Sequence, residues 1–327
     1  MEQVYFLITK RCNLNCDNCI RDVNKSQDAS FETVELALTK IKKQFPNVDL
    51  ILTGGEPTLH PRFSDILKMA SELFDNVIVT SNGTTDYYSE IIYFDNVRYQ
   101  ISIDGYRDYH NKLRGNECYD KIFNNIEKLQ KSKCCFAVAT VVNDFNYTSL
   151  KALYEDLILK NIDYWFVNNL LPVGCASASD YKALDTALWN DLVYTMNKNC
   201  TKINLRMYTQ FDLREKTIRD IVSGNKKCVG CGSGVDKIYI YPDLNMYACT
   251  CLIDFPLGNL NTDSLEKILK SKETRELINC KMDSSSPCNE CEIFAQCNGG
   301  CKGVSYNYFK KLGFGDIRCP RVKEKYE

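Results

Sequence analysis

Apolar residues recur along the first half of the chain in two alternating rhythms. Continuous runs at 4–8, 48–53, 77–80, 97–103, 136–142 and 164–167 have the length and the β-branched or aromatic content of buried strands. Between them, apolar residues fall three and four positions apart, as on one face of a helix. Phe31, Val34, Leu38, Ile41 and Phe45 do so behind a capping Ser30, and similar patterns cover 61–74 (Pro61 in the first turn), 86–94, 119–131 and 147–160. Strands alternating with helices predict right-handed βαβ units and a parallel sheet. Six units are too few for a closed eight-stranded barrel, so the expected fold is α/β: a partial (β/α)6 parallel barrel. Its polar and glycine signals fall at the C-terminal ends of the strands, where such sheets hold their sites.

The pattern then weakens. A helix is expected over 180–200 and an irregular bridge over 201–225. From 226 the composition changes: two short strands, 237–241 and 245–248, flank a Pro242-Asp243 turn, and one short helix near 262–271 carries Leu265, Ile268 and Leu269. The remainder is Cys, Gly and polar residues, too poor in apolar side chains for a core of its own, so it needs metal staples. The expected division is a core at 1–200, a bridge at 201–225 and a small cysteine-rich C-terminal domain at 226–327.

Composition narrows the chemistry. The 327 residues are 44% hydrophobic and 25% charged, with a net charge of -1 and no long block of one sign. That balance gives no reason to expect nucleic acid or a membrane surface as partner. No run has transmembrane length, and the opening residues turn polar too soon for a signal peptide, so a cytoplasmic protein is expected. Eighteen cysteines against two histidines, His60 and His110, is the anomaly. In a cytosolic chain it points to metal ligation rather than disulfides. So few histidines leave little for a mononuclear zinc enzyme or a Ser-His-Asp triad.

Cys12, Cys16 and Cys19, spaced C-x3-C-x2-C, occupy a polar loop directly behind the first strand. Three thiolates can hold three corners of a four-iron cube and leave one iron open; a zinc site or a chance cluster are the alternatives at this point. Gly54, Gly55 and Glu56 end the second strand, where glycine permits close approach and a carboxylate can meet an ammonium; a plain strand-to-helix turn is the other reading. Ser81 and Asn82, and then Ser102 and Asp104, are polar strand tips suited to hydroxyl contacts or to turn capping. Near the end, Cys288, Cys291, Cys297 and Cys301 follow C-x2-C-x5-C-x3-C, with Cys319 beyond and Cys228, Cys231 and Cys249 before.

CNLNCDNC behind one strand and GGEP behind the next resemble the radical S-adenosylmethionine superfamily, and the second cysteine set resembles its SPASM extension. The resemblance implies three [4Fe-4S] clusters and S-adenosyl-L-methionine. Cys12, Cys16 and Cys19 would bind the first cluster, whose open iron takes the cofactor. Cys228, Cys231, Cys249 and Cys301 would bind auxiliary cluster I, and Cys288, Cys291, Cys297 and Cys319 auxiliary cluster II. Gly54, Gly55 and Glu56 would hold the methionine amino group and Arg114 its carboxylate; Ser81, Asn82, Ser102 and Asp104 would meet the ribose, with Thr140 near the cofactor. Asn18 departs from the family, which places an aromatic residue before the third cysteine. Leu244 departs too, standing where the family has glycine, so that turn is expected to differ. Cys251, an extra thiol, is an alternative to Cys228. The other cysteines read as small buried hydrophobes.

The implied activity is that of a radical SAM oxidoreductase or maturase. Reductive cleavage of S-adenosylmethionine gives a 5′-deoxyadenosyl radical, which takes hydrogen from a peptide substrate in an oxidative modification such as a crosslink or thioether. A one-electron reductant such as flavodoxin or ferredoxin is an implied partner. Sulfatase maturases carry an aspartate directly after the cluster-I cysteine, where this chain has Thr250, which counts against that activity. Cys175, Tyr208 and Asp254 are the candidate catalytic side chains. Many peptide maturases have an N-terminal leader-binding domain; here the chain opens on its first strand, so recognition is expected to need either a separate leader-binding protein or the core itself. A small-molecule dehydrogenase or sulfatase-maturase-like enzyme is the alternative, and a non-enzymatic iron–sulfur or zinc protein the alternative of another class.

Overall fold

The six apolar runs become the centre of one sheet. In the computed structural model, which describes residues 1–21, 27–89, 91–225 and 232–327, they form β1 (Gln3–Thr9), β2 (Asp49–Gly54), β3 (Val77–Ser81), β4 (Val97–Ser102), β5 (Cys135–Val142) and β6 (Tyr164–Asn169). Each pairs in parallel with the next. A short β7 (Asn204–Arg206), absent from the apolar pattern, pairs in parallel with β6. Its three residues are mostly exposed, so no run of buried side chains marks it.

The cysteine-rich tail continues the same sheet from the opposite side. β8 (Lys237–Ile240) pairs in parallel with β1, Gln3 opposite Lys237 and Phe6 opposite Ile240. Tyr5 and Tyr239 stack across this seam with ring centroids 4.5 Å apart. β9 (Asn245–Tyr247) and β10 (Pro256–Asn259) follow antiparallel. The ten strands run β10-β9-β8-β1-β2-β3-β4-β5-β6-β7, an open sheet with β7 and β10 at its edges. β1 therefore lies between core and tail, and the loop that follows it opens onto both.

Helices cover the sheet for the reasons their sequences supply. α1 (Phe31–Gln44) starts at Ser30, whose hydroxyl accepts from Thr33 N, and buries Val34, Ala37, Leu38 and Ile41 on one face. α2 (Phe63–Leu73) begins later than the expected Pro61, because Pro57–Leu59 forms a separate turn capped by Glu56. Among the described residues of the helix expected at 86–94, there is only the 3-10 turn Asp86–Ser89; residue 90 lies outside the described residues. α3 (Arg107–Arg114) was not legible: its sequence is mostly polar and it buries only His110 and Leu113. α4 (Cys118–Lys131), α5 (Leu150–Leu159) and α6 (Thr186–Asn199) follow; α6 starts at 186 rather than 180 because the Asp185 side chain caps it through Leu188 N. Among the described residues, no helix is long and apolar enough to cross a membrane.

In the turn between β8 and β9, Leu244 adopts φ +64°, the left-handed conformation that favours glycine. Strain of about 1 kcal/mol is offset by burying the leucine side chain, which is 3% exposed.

Candidate active site

The three-cysteine loop leaves β1 and is tied directly to the tip of β2. Gly55 N donates to Thr9 O at 3.0 Å and Glu56 N to Arg11 O at 2.7 Å. A Cβ on Gly54 would stand 2.6 Å from Thr9 O, and one on Gly55 2.4 Å from Arg11 O. Both glycines are therefore required by the cysteine loop itself, whatever else approaches them. Asp28 fastens the far side of the loop through Thr9 Oγ1 at 2.6 Å and Arg11 at 2.8 Å.

Glu56 is fully buried. Its Oε1 accepts from Thr58 N at 3.2 Å, from the Thr58 hydroxyl at 2.6 Å and from the Ser81 hydroxyl at 2.8 Å. Its Oε2 accepts from Asn82 N at 2.7 Å. Burial pushes its carboxyl upward in pKa, and these donors work against that shift. Asn82 in turn donates to Asn13 Oδ1 at 2.9 Å and, at 3.8 Å, to Cys12 Sγ. The tips of β2 and β3 thus form one polar network that ends on a cluster cysteine.

A second network explains Asn18. Its side-chain amide donates to Asp104 Oδ2 at 2.9 Å, the oxygen that also accepts from Arg114 Nε at 2.7 Å; Asp104 Oδ1 accepts from Val141 N at 2.8 Å. Asp104 is fully buried, both oxygens engaged, so its side chain positions Asn18 and Arg114 rather than facing an open mouth. Burial by itself would raise the Asp104 carboxyl; the Arg114 guanidinium brings it below the usual carboxylate range. Cys16 is pushed up to about 12 by burial, with Arg114 pulling the other way. Thr140 is buried and holds strands together, donating to Ile103 O at 2.6 Å and accepting from Trp165 Nε1 at 2.8 Å. Ser102 ends β4, half-buried.

These residues fit an iron–sulfur cube. The thiols are soft ligands, and donors meet their sulfurs: Asn82 at Cys12, Arg21 N at Cys19 (3.5 Å), and the nearby Arg114 charge at Cys16. Among the described residues, no three Cys, His, Asp or Glu side chains converge where a single metal ion could sit. A tetrahedral zinc needs its sulfurs about 2.3 Å from one centre, whereas a cube takes each cysteine at a separate iron.

A cavity of about 320 Å³ lies between this loop and the tail. Lys10, Ile20, Arg21 and Gly55 form its core wall; Tyr241, Thr250, Cys251, Asp254 and Asn307 form its tail wall. Thr250 and the Tyr241 hydroxyl are 3.0 Å apart, and Asp254 accepts from the Tyr306 hydroxyl at 2.9 Å. Of the candidate catalytic side chains, Asp254 alone lines this cavity. Tyr208 is 59% exposed and its side chain is not on the cavity wall. Cys175 Sγ lies 3.1 Å from Arg21 O, where it braces the loop.

A second cavity, of about 250 Å³, is lined by Cys249, Cys297 and Cys301. Cys228 and Cys231 lie outside the described residues. Cys251 N donates to Cys249 Sγ at 3.3 Å, but Cys251 itself lines the first cavity. Cys288, Cys291 and Cys319 gather separately. Burial raises the Cys319 thiol, with Cys288 and Cys291 adding to the rise. Sequence reading missed the cations here. Arg321 donates to Cys291 Sγ at 3.2 Å, and the buried Asp316 holds both Cys301 N (2.9 Å) and Arg318 (2.8 Å). Their signal was their place, between or directly behind the last cysteines. Of the cysteines read as buried hydrophobes, Cys118, Cys134 and Cys200 are buried, whereas Cys135 is exposed.

A parallel open barrel with a three-cysteine loop at the mouth, closed by a cysteine-bearing tail, defines a class, and comparison with known proteins gives the same one. The family model of the Radical SAM superfamily matches residues 6–157, and that of the SPASM iron–sulfur cluster-binding domain matches 231–292. The chain belongs to the radical SAM superfamily and carries a SPASM domain. It is 32% identical over 276 residues to the sporulation killing factor maturation protein SkfB of Bacillus subtilis, covering 80% of this chain and 63% of that protein. It is 25% identical to a cysteine-type anaerobic sulfatase-maturating enzyme of Clostridium novyi, covering 98% of this chain and 92% of the enzyme. In fold it resembles Streptococcus suis SuiB, solved bound to its precursor peptide SuiA, with a TM-score of 0.80 at 16% identity over 97% of this chain and 75% of SuiB. Family membership brings iron–sulfur clusters and S-adenosylmethionine binding.

Proposed function

We propose that the protein is a radical SAM/SPASM peptide maturase that begins an oxidative modification by removing hydrogen from a residue of a peptide. The observation that carries this reading is the cavity between the cysteine loop and the tail, with Gly55 and Arg21 on one wall and Thr250, Cys251 and Asp254 on the other. When bound, the first cluster and S-adenosylmethionine supply a 5′-deoxyadenosyl radical; the protein's part is to position and shield. Cys12, Cys16 and Cys19 hold the cluster, and Arg114, oriented by Asp104, keeps a cation beside Cys16. Gly54, Gly55, Glu56, Ser81, Asn82 and Ser102 are the proposed cofactor contacts. The two cavity walls exclude water from the substrate, and Asp254 is the carboxylate there that can accept a proton. A space of 320 Å³ takes one or two residues of a peptide rather than a folded domain. The similarity to SkfB, a maturation protein, supports the peptide substrate, as does the fold shared with peptide-bound SuiB.

The sulfatase-maturase reading is favoured by Asp254, which lines the cavity although the position after Cys249 is Thr250, and by the similarity to the Clostridium novyi enzyme. Three four-iron clusters predict about twelve irons per chain after anaerobic reconstitution. Reductant and S-adenosylmethionine should then yield 5′-deoxyadenosine, and Cys12→Ala should abolish it. Mass spectrometry of candidate precursor peptides and of a sulfatase peptide, each incubated with the loaded enzyme, separates the two readings by which loses hydrogen. Zinc bound in place of iron, or no cofactor cleavage, would sink both. Flavodoxin or ferredoxin is the proposed electron source, and a separate leader-binding protein the proposed means of recruiting the peptide.

A further inference from the structure

The cavity between core and tail holds two cations that the radical chemistry does not use. Arg21 directs both Nη groups to a single hydroxyl, Thr53 Oγ1, at 3.2 Å each, and its Nε is buried with no partner. No carboxylate pairs with it among the described residues. Lys10, on the same wall, lies over the Tyr241 ring, Nζ 5.6 Å from the centroid, and likewise makes no ion pair among the described residues. Other arginines near the cysteines do have carboxylates: Arg11 with Asp28, Arg114 with Asp104, Arg318 with Asp316 and Arg321 with Glu292. A guanidinium has five donors in a fixed fork, so one hydroxyl leaves Arg21 under-bonded.

Its placement is rigid. A Cβ on Gly174 would stand 2.3 Å from Ile20 O, so the loop after β6 presses directly on the Arg21 segment. Ala176 N donates to Cys19 O at 3.1 Å on one side, and Cys175 Sγ contacts Arg21 O at 3.1 Å on the other. On the opposite wall, Asp254 is the one acidic side chain among the described lining residues, already bonded to Tyr306. The cavity is thus polarised: cations towards the cluster loop, a carboxylate towards the tail.

We propose that this cavity takes a substrate bearing a carboxylate, received by Arg21 with Lys10 beside it. The carboxylate belongs either to an acidic side chain of the peptide or to the peptide's C-terminus, and a backbone N–H of the same peptide faces Asp254. This rests on reading the cavity as the substrate site. A planar fork meeting a carboxylate gives charge-assisted, bidentate bonding that a lone hydroxyl cannot replace.

Binding to the iron-loaded full chain, without reductant, tests this independently of turnover. Three probes are compared by saturation-transfer NMR: N-acetyl-Ala-Ala-Asp-Ala-Ala-amide, its Asn counterpart, and N-acetyl-pentaalanine with a free C-terminus. At least one carboxylate probe should bind about tenfold tighter than the Asn peptide, and which one does so identifies the source. Arg21→Gln should erase the preference, Arg21→Lys should retain part of it, and Lys10→Gln should reduce it about threefold. Affinity for S-adenosylmethionine should change less than about twofold in the same variants. Equal binding of all three probes overturns the proposal, as does a preference that survives Arg21→Gln. Arg21→Gln weakening S-adenosylmethionine while leaving the peptides unchanged overturns it too, since the carboxylate would be the cofactor's. Should Arg21→Gln fail to load iron, Arg21→Lys and Lys10→Gln carry the test. A chain that shows the preference but never cleaves S-adenosylmethionine would refute the proposed function and leave this inference standing.

Discussion

The Asp104–Arg114 pair offers the sharpest test of how the site is held. Asp104 is fully buried and Arg114 has a side chain only 14% exposed, so neither charge has water to fall back on. Asp104→Asn keeps the shape but offers one acceptor oxygen where two now serve Val141 N on one side and Asn18 with Arg114 on the other. Whichever way the amide turns, a donor faces a donor, and Arg114 stays charged without its carboxylate. Breaking a buried pair from one side costs about 3–5 kcal/mol, a fall of roughly 4–7 °C in Tm for a chain of this length. Arg114→Met should cost a similar amount by stranding the carboxylate. The double variant removes both charges, so its loss should be smaller than the sum of the single losses by about 2 kcal/mol or more. Urea unfolding of the cluster-free chain under anaerobic reducing conditions measures all four corners of the cycle. Iron uptake gives a second readout. Burial already pushes Cys16 up to about 12 against the pull of Arg114, and cluster assembly needs the thiolate, so Arg114→Met should load less iron on the first cluster. Single losses below about 1 kcal/mol, or strictly additive losses in the double variant, would refute the reasoning.

Four further outcomes follow from the geometry. Gly55→Ala should cost about 3 kcal/mol or more and reduce iron content, because its Cβ would meet backbone, Arg11 O at 2.4 Å, and not a movable side chain; a chain with full iron content and parental stability would contradict this. His110 is depressed from 6.5 to about 3, first by burial and then by Arg114. The unfolded chain therefore binds the extra proton, and stability should fall as pH drops from about 6.5 towards 3, by about 1.4 kcal/mol per pH unit; His110→Gln should flatten that slope in thermal melts. Leu244→Gly relieves about 1 kcal/mol of backbone strain but empties a buried leucine site costing about 3, so the Tm should fall; a rise would show that strain dominates. Chelating the iron should raise hydrogen exchange in 280–327, whose separate apolar cluster is buried only at Cys288, Val304, Ile317 and Val322, with partly buried side chains around them, while β2 to β5 stay protected; uniform exchange across the chain would refute metal stapling.

The sequence carried the core well because its signals there are local. β1 to β6 are continuous apolar runs, and α1 has a capping serine and an evenly spaced apolar face, so neither needs a distant partner to be recognised. α3 was invisible for the opposite reason: RDYHNKLR has almost no apolar face, and the helix brings His110 Nδ1 to Asp104 N and Arg114 Nε to the Asp104 carboxylate. Glu56, Asn82, Asp104 and Arg114 were legible as site residues, since polar groups at the ends of parallel strands have few other reasons to be there. What each one touches was not legible. The Glu56 and Asp104 carboxylates are engaged by protein donors, and a contact across 86 residues, Asn18 to Asp104, leaves no trace in local pattern.

Asn18 shows how that hidden layer matters. With phenylalanine at this position, that side chain would donate nothing to Asp104, and the carboxylate would hold Arg114 and Val141 N alone. With asparagine, the cysteine loop is hydrogen-bonded to the same carboxylate that orients the cation beside Cys16, so loop, strand β4 and helix α3 become one unit. The loop is thereby fixed on three sides: at β2 by Gly55 and Glu56, at β4 by Asn18, and at the segment after β6 by Ala176 and Cys175. Its fourth side faces the tail, where β8 pairs with β1 but the cavity intervenes. A loop so constrained cannot adapt to a substrate, and selectivity must come from what its fixed side chains and the tail wall present, with Arg21 and Lys10 on one face and Thr250, Cys251 and Asp254 on the other.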